Sequence, residues 1–242
     1  DGTAGITYAL RWTVTNGTCI VFDDVQIQLK EIPNASASNQ TICSGGTTSV
    51  VITNLPVVSG TSFAWTSAQF SGATVSGHSS GNGALISQNL TVVNSQGIVR
   101  YTITPTANGC SGTPITVDVT VNPTPTLATT PAQQIICAGT APGIVLSNPN
   151  AVAGTLYRWT VVQSGTTGAS DQVALVAGPI AQTLNLSTVN VQGTATYTIE
   201  AVSPASCVSS TKQVIITVEP VPDASASDQT ICSGGTTSVV IT

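Results

Sequence analysis

Gly77-His78-Ser79-Ser80-Gly81 is the stretch of this chain whose residue types come nearest to nucleophilic chemistry. It fits G-x-S-x-G, in which a serine stands on a sharp strand-to-helix turn and a histidine later in the chain takes its proton. The sequence meets neither condition. No helical stripe follows, and His78, the chain's one histidine, is adjacent to Ser79 and cannot fold back as its base. The stretch reads as a Ser/Gly-rich surface loop, and the motif does not recur at the matching place around Thr166-Thr167-Gly168. Asp23-Asp24 could lend oxygens to calcium, but that ion takes six to eight, and the other copies of this region have no acidic pair. The six cysteines form no C-x-x-C pair and have no partner histidines, so zinc is not expected. Asn16, Asn34, Asn39, Asn89 and Asn185 each begin an N-x-S/T sequence, a chance outcome in a Ser/Thr-rich chain. The expectation is a chain with no catalytic, cofactor or metal site, and not an enzyme.

What the chain does have is repetition. Residues 34–53 (NASASNQTICSGGTTSVVIT) and 223–242 (DASASDQTICSGGTTSVVIT) differ only at Asn34/Asp223 and Asn39/Asp228, and a weaker copy lies at 129–147. Cys43, Cys137 and Cys232 set the period at 94 and 95 residues (137 − 43 and 232 − 137). That is too long for a solenoid unit and suits a whole small domain. Pro-rich joints follow at Ile32-Pro33, Asn122-Pro123-Thr124-Pro125 and Glu219-Pro220-Val221-Pro222. The expected organisation is the last part of one repeat at 1–33, complete repeats at 34–122 and 123–219, and the opening of another at 220–242.

Composition narrows the setting. Only 6% of the 242 residues are charged and the net charge is −5, which leaves no basic patch for nucleic acid. Hydroxyls and amides must cover the surface instead. Abundant β-branched residues exclude a disordered chain, and no apolar run reaches the roughly 20 residues that span a bilayer as a helix, so membrane insertion is not expected. Cysteines recurring at matched, turn-rich places point to disulfides and an oxidising, extracellular compartment.

The elements that would carry these residues are strands. Val25–Lys30 and Pro114–Val121 alternate apolar and polar residues, as half-buried strands do. Val214, Ile216 and Val218 repeat the pattern. Asn16-Gly17 and Asn108-Gly109 predict two-residue hairpin turns, each after an aromatic-led strand containing Trp12 or Tyr101; Tyr197 marks the third copy. Phe63-Ala64-Trp65 matches Tyr157-Arg158-Trp159, each Trp 22 residues after a cysteine (65 − 43 and 159 − 137). Residues i and i+2 share a strand face, so each aromatic pair belongs in a sandwich core. The same periodicity turns Trp12 inward. Turn signals every 8–12 residues or so complete an all-β reading: tandem immunoglobulin-like sandwiches in a linear array.

The order of motifs resembles a known family. An ICSGG or ICAG block, a Trp-bearing strand, a YTI strand, an NGCSG turn, an alternating Val strand and a Pro-x-Pro exit are similar to the PKD-like and immunoglobulin-like repeats of very large secreted Bacteroidota surface proteins. These include gliding-motility adhesins and other type IX secretion substrates. The resemblance implies a β-sandwich, export to the cell surface, and service as a stalk or adhesive segment. It implies neighbouring repeats as partners, with surface glycans, other surface proteins or self-assembly into fibres as further ones, and it supplies no catalytic residues. Pro204-Ala205-Ser206-Cys207 departs from the Asn-Gly-Cys turn. A carbohydrate-binding accessory module is the alternative, and it requires exposed tryptophans.

Closure within each domain is the simplest disulfide pattern and the expected one, with a staple between neighbouring domains as its alternative. Closure within a domain pairs Cys43 with Cys110 and Cys137 with Cys207, leaving Cys19 and Cys232 to partners elsewhere. A staple between neighbouring domains pairs Cys43 with Cys207.

Overall fold

In the computed structural model the described residues are 3–223, 228 and 230–236, and among them there are strands and turns but no helix. The chain forms two compact units, Asp1–Thr124 and Pro125–Thr242.

The first unit contains β1 (Thr7–Asn16), β2 (Cys19–Gln28), β3 (Gln40–Cys43), β4 (Val50–Val51), β5 (Ser62–Gly72), β6 (Gly81–Asn82), β7 (Leu85–Ile86), β8 (Gly97–Ala107), β9 (Cys110–Ser111) and β10 (Ile115–Asn122). One sheet runs β3-β10-β8-β5-β6, with β9 continuing the β8 hairpin. β3 lies parallel to the last strand β10, and the other long pairings are antiparallel. A second, smaller layer comes from β4, β7 and the bridges Ser36–Thr53, Thr47–Asn89 and Ser76–Thr91. The physical cause is period-two patterning. Along β8, Val99, Tyr101 and Ile103 face inward; along β10, Val117, Val119 and Val121 do. They meet Val50, Ile52, Ile86, Leu90 and Val92 of the opposite layer in one core.

The second unit repeats the plan with β11 (Ala128–Thr130), β12 (Gln133–Cys137), β13 (Val145–Ser147), β14 (Leu156–Ser164), β15 (Thr166–Thr167), β16 (Gln172–Val176), β17 (Asn185–Leu186), β18 (Gly193–Val202) and β19 (Lys212–Glu219). Its main sheet runs β12-β19-β18-β14-β16, with β12 again parallel to the last strand. Tyr197, Ile199, Val214, Ile216 and Val218 face a core closed by Ile144, Ile180 and Leu184. Both units are immunoglobulin-like β-sandwiches.

The hairpin β1–β2 is the same pair of strands as β8–β10, seen without an opposing layer among the described residues. Arg11 faces Asp24 across it as Arg100 faces Asp118. Trp12 therefore holds the station of Tyr101. The inward expectation for Trp12 is corrected: it is 76% exposed, beside exposed Leu10, Val14 and Val25. Periodicity assigns it to the apolar face, but among the described residues no second layer covers that face. The first turn also centres one residue later than expected. Asn16 pairs with Cys19, so the loop is Gly17-Thr18, with Gly17 at φ 61°. Asn108-Gly109 is the expected turn, with both residues at positive φ.

Candidate functional site

The aromatic pairs lie where each strand's inner face puts them. Trp65 sits opposite Ile103 on β8, and Trp159 opposite Ile199 on β18. Only 7% and 6% of them is exposed, and Phe63 and Tyr157 are buried beside them. Val119 and Ile216 belong to the respective cores. Both indole Nε1–H groups lack a hydrogen-bond partner, so each ring serves through its apolar body.

The G-x-S-x-G stretch resolves into a polar network. Ser79 N–H donates to Gln88 Oε1 (3.2 Å), while Gln88 Nε2 donates to Ser79 O and Oγ (2.8 and 2.9 Å). Tyr101 Oη donates to the same Gln88 Oε1 at 2.6 Å. Gly77 has φ 94°, and a Cβ there would lie 2.1 Å from the Asn89 carbonyl oxygen. A Cβ on Gly81 would strike the Trp65 ring. Backbone approach and ring packing thus account for the two glycines, and the buried phenol accounts for the serine's glutamine partner. His78 Nδ1 lies 2.9 Å from Ser67 Oγ on β5, rather than on a serine of the motif.

The same network recurs in the second unit, where sequence reading missed it. Ser170 N–H donates to Gln182 Oε1, and Gln182 Nε2 returns bonds to Ser170 O and Oγ (both 2.9 Å). Tyr197 Oη donates to Gln182 Oε1 (3.1 Å). Gly168, at φ 97°, approaches the Thr183 carbonyl as Gly77 approaches that of Asn89. Gly168-x-Ser170 and Gly77-x-Ser79, each followed by a Gln-x-Leu, were the available signal. Burial pushes the pKa of both Tyr101 and Tyr197 up to about 12.

Arg11, Arg100 and Arg158 are each engaged in an ion pair, with Asp24, Asp118 and Glu200 respectively. Arg11 makes a two-pronged bond to Asp24 (2.8 Å each) and lies over the Phe22 ring at 3.9 Å. Arg100 does the same with Asp118 (2.7 and 2.8 Å), over Phe70 at 3.4 Å. Each guanidinium holds its carboxyl partner below the usual carboxylate range through the hydrogen bond. Asp24 is thus bound to Arg11, and Asp23 accepts the Asp24 N–H at 3.0 Å. Among the described residues no three His, Cys, Asp or Glu side chains gather as a metal site.

The cysteines correct the closure within each domain. Cys43 and Cys207 are disulfide-bonded, but Cys110 and Cys137 are free thiols, as are Cys19 and Cys232. The register gives the reason. Cys43 pairs with Asn122 at the exit end of β10, whereas Cys110 lies in the hairpin before Ile115. The seven steps from Ile115 to Asn122 span about 23 Å. A disulfide needs Cα atoms within about 7 Å, so a Cys43–Cys110 bridge cannot form in this fold. In the second unit Cys137 pairs with Glu219, and Cys207 precedes Lys212 at the other end of β19.

Residues 40–125 match the model of the PKD-like domain family. The PKD-like stretch runs from the start of β3 past the end of β10 and includes Cys43, Trp65, Gln88 and Tyr101. A search of curated proteins finds no match. Solved structures that resemble the chain include human mucin-like protocadherin (13% identity, TM-score 0.30, 78% of this chain and 99% of that one). Another is a SusE-like surface-located polysaccharide-binding protein of the Bacteroides thetaiotaomicron heparin utilisation locus (12%, TM-score 0.31), of which the match covers 36% against 82% of this chain. A third comprises fibronectin(III)-like modules of Clostridium thermocellum CbhA (10%, TM-score 0.29, 77% and 95%).

Proposed function

We propose that this chain is a structural and adhesive segment of a long, repetitive protein displayed outside the cell, and not an enzyme. One observation carries the reading. The features that recur between the two units are fold-making ones: the buried aromatic pair and the Tyr–Gln–Ser network. Repeats 34–122 and 123–219, with parts of further repeats at 1–33 and 220–242, then act in series. Their task is to place a binding surface away from the cell, or to multiply weak contacts with surface glycans, surface proteins or other copies of the chain. The resemblance to Bacteroidota repeats supports a gliding-motility adhesin exported by the type IX route as the specific form. An antibody against residues 34–122 tests display: it should stain intact cells of the producing organism, and protease shaving should remove the stain. Staining only after lysis would overturn the reading.

The second reading, a carbohydrate-binding accessory module, rests on the exposed Trp12. Binding to a glycan array that Trp12→Ala abolishes would favour it.

A further inference from the structure

The second unit builds a cleft from residues that the first does not share. On the outer side of its main sheet, Arg158 of β14 faces Glu200 of β18, and Thr160 faces Thr198 beside them. Gln172 and Val173 of the edge strand β16 complete the lining. A bulge shapes it. Tyr157 pairs with Val176 and Trp159 with Gln172, so β16 spends four steps where β14 spends two (176 − 172 against 159 − 157). Bulges at sheet edges re-aim side chains. The cleft holds about 290 Å³, close to the lower end of the roughly 300–1,000 Å³ that small-molecule pockets span. In the first unit the register places Ala64 and Thr104 at the stations of Arg158 and Glu200, and Gly81 at that of Gln172. There the Trp65 ring packs on Gly81 and leaves no room for a side chain. The threonine pair alone is kept, as Thr66 and Thr102.

We propose that this cleft binds a sugar ring of a neutral glycan. Charge decides the class. Arg158 Nη2 and Nε lie 2.7 and 2.9 Å from Glu200 Oε2, and among the described residues no other ionisable side chain lines the cleft. The two charges cancel, so a phosphate, a sulfate or an ammonium group finds no net attraction. A sugar hydroxyl both donates and accepts, and the cleft meets it in kind. The guanidinium offers N–H donors beside a carboxylate that only accepts, and the threonine hydroxyls do both. Gln172 Nε2 is held by the Ala174 carbonyl at 2.9 Å, so Oε1 is the atom that amide can offer as an acceptor. Val173, 77% exposed, supplies apolar surface for the C–H face of the ring. The ion pair stays open to a ligand, with the Arg158 side chain 44% and the Glu200 side chain 29% exposed. Because each partner already holds the other, little ordering remains to be done on binding. The inference rests on the reading of the chain as a displayed segment that multiplies weak contacts, and it gives one such contact a place.

The test is binding of the full chain to an array of neutral oligosaccharides (glucans, mannans, xylans and galactans), with sulfated and sialylated glycans beside them. The best neutral binder is then titrated by calorimetry. The expected result is binding to a neutral glycan that Arg158→Ala and Glu200→Ala each weaken at least about tenfold, since each removes a charge-assisted hydrogen bond. Val173→Asp leaves the buried core untouched and should also abolish binding, so the test does not depend on the ion-pair variants folding. Thr104→Ala in the first unit and Trp12→Ala should leave the affinity unchanged. Binding to no neutral glycan would overturn the proposal, as would a preference for the sulfated or sialylated ones. An affinity that Arg158→Ala and Val173→Asp leave unchanged would overturn it too. Binding lost in Trp12→Ala alone would move the site to the β1–β2 hairpin and away from this cleft. Surface staining does not depend on the cleft, so failure of the sugar site and failure of the displayed-segment reading are told apart.

Discussion

Gln88→Ala is the substitution whose cost follows most directly from the structure. Tyr101 is fully buried and gives its hydroxyl proton to Gln88 Oε1 at 2.6 Å. Removing the amide strands a buried donor, which costs about 1–3 kcal/mol. The bonds between Gln88 and Ser79 add little, because Ser79 is exposed and water replaces its partner. The expected loss is therefore about 1–3 kcal/mol. Tyr101→Phe removes the donor itself and should cost only about 1 kcal/mol. In the double variant no stranded hydroxyl remains, so the two losses should fall short of additivity by about 1–2 kcal/mol. The assay is urea unfolding followed by tryptophan emission in a Trp12→Phe background. There Trp65 reports the first unit, and Trp159 serves as an internal reference that should not move. Additive losses, within about 0.5 kcal/mol, would refute the claim that the network exists to satisfy the buried phenol.

Further outcomes follow from the same geometry. Trp65→Ala should cost about 3–5 kcal/mol through the cavity it leaves, measured by the same urea titration. Gly77→Ala and Gly168→Ala should each lower the melting temperature of their own unit, since a Cβ would meet a carbonyl oxygen at 2.1 or 2.2 Å. Stability should fall as pH rises from about 10 to about 12. In that window the unfolded tyrosines ionise while Tyr101 and Tyr197 stay protonated in the folded chain; urea midpoints across the range check the sign, and a flat profile would contradict it. Under native conditions trypsin should cut first at Lys30, outside any strand, and last at Arg100 and Arg158 within central strands; mass spectrometry of timed digests reads the order.

The inner faces of the long strands were legible because alternation has a period of two and these sheets are covered on one side. Val117-x-Val119-x-Val121 and Tyr101-x-Ile103 need nothing more than the pleat. Trp12 shows the limit: alternation names a face, but whether another layer covers that face is a tertiary fact. Gln88 and Gln182 were missed for a similar reason. They lie 13 and 15 residues from the tyrosines they serve, on segments whose pairing local pattern does not set. The disulfide pattern was undetermined because spacing along the chain says nothing about which pole of a sandwich a cysteine reaches. The parallel register of Cys43 beside Asn122 is what decides against closure within the unit.

The central claim is that these repeats act as interchangeable lengths of stalk and not as seats of unique chemistry. In-frame removal of one whole repeat, residues 34–122, from the intact gene tests it most directly, with surface staining and attachment of living cells as the readouts. The account predicts a shorter protein that is still displayed and still supports most of the attachment. Display retained but attachment abolished by the loss of this single repeat would contradict it.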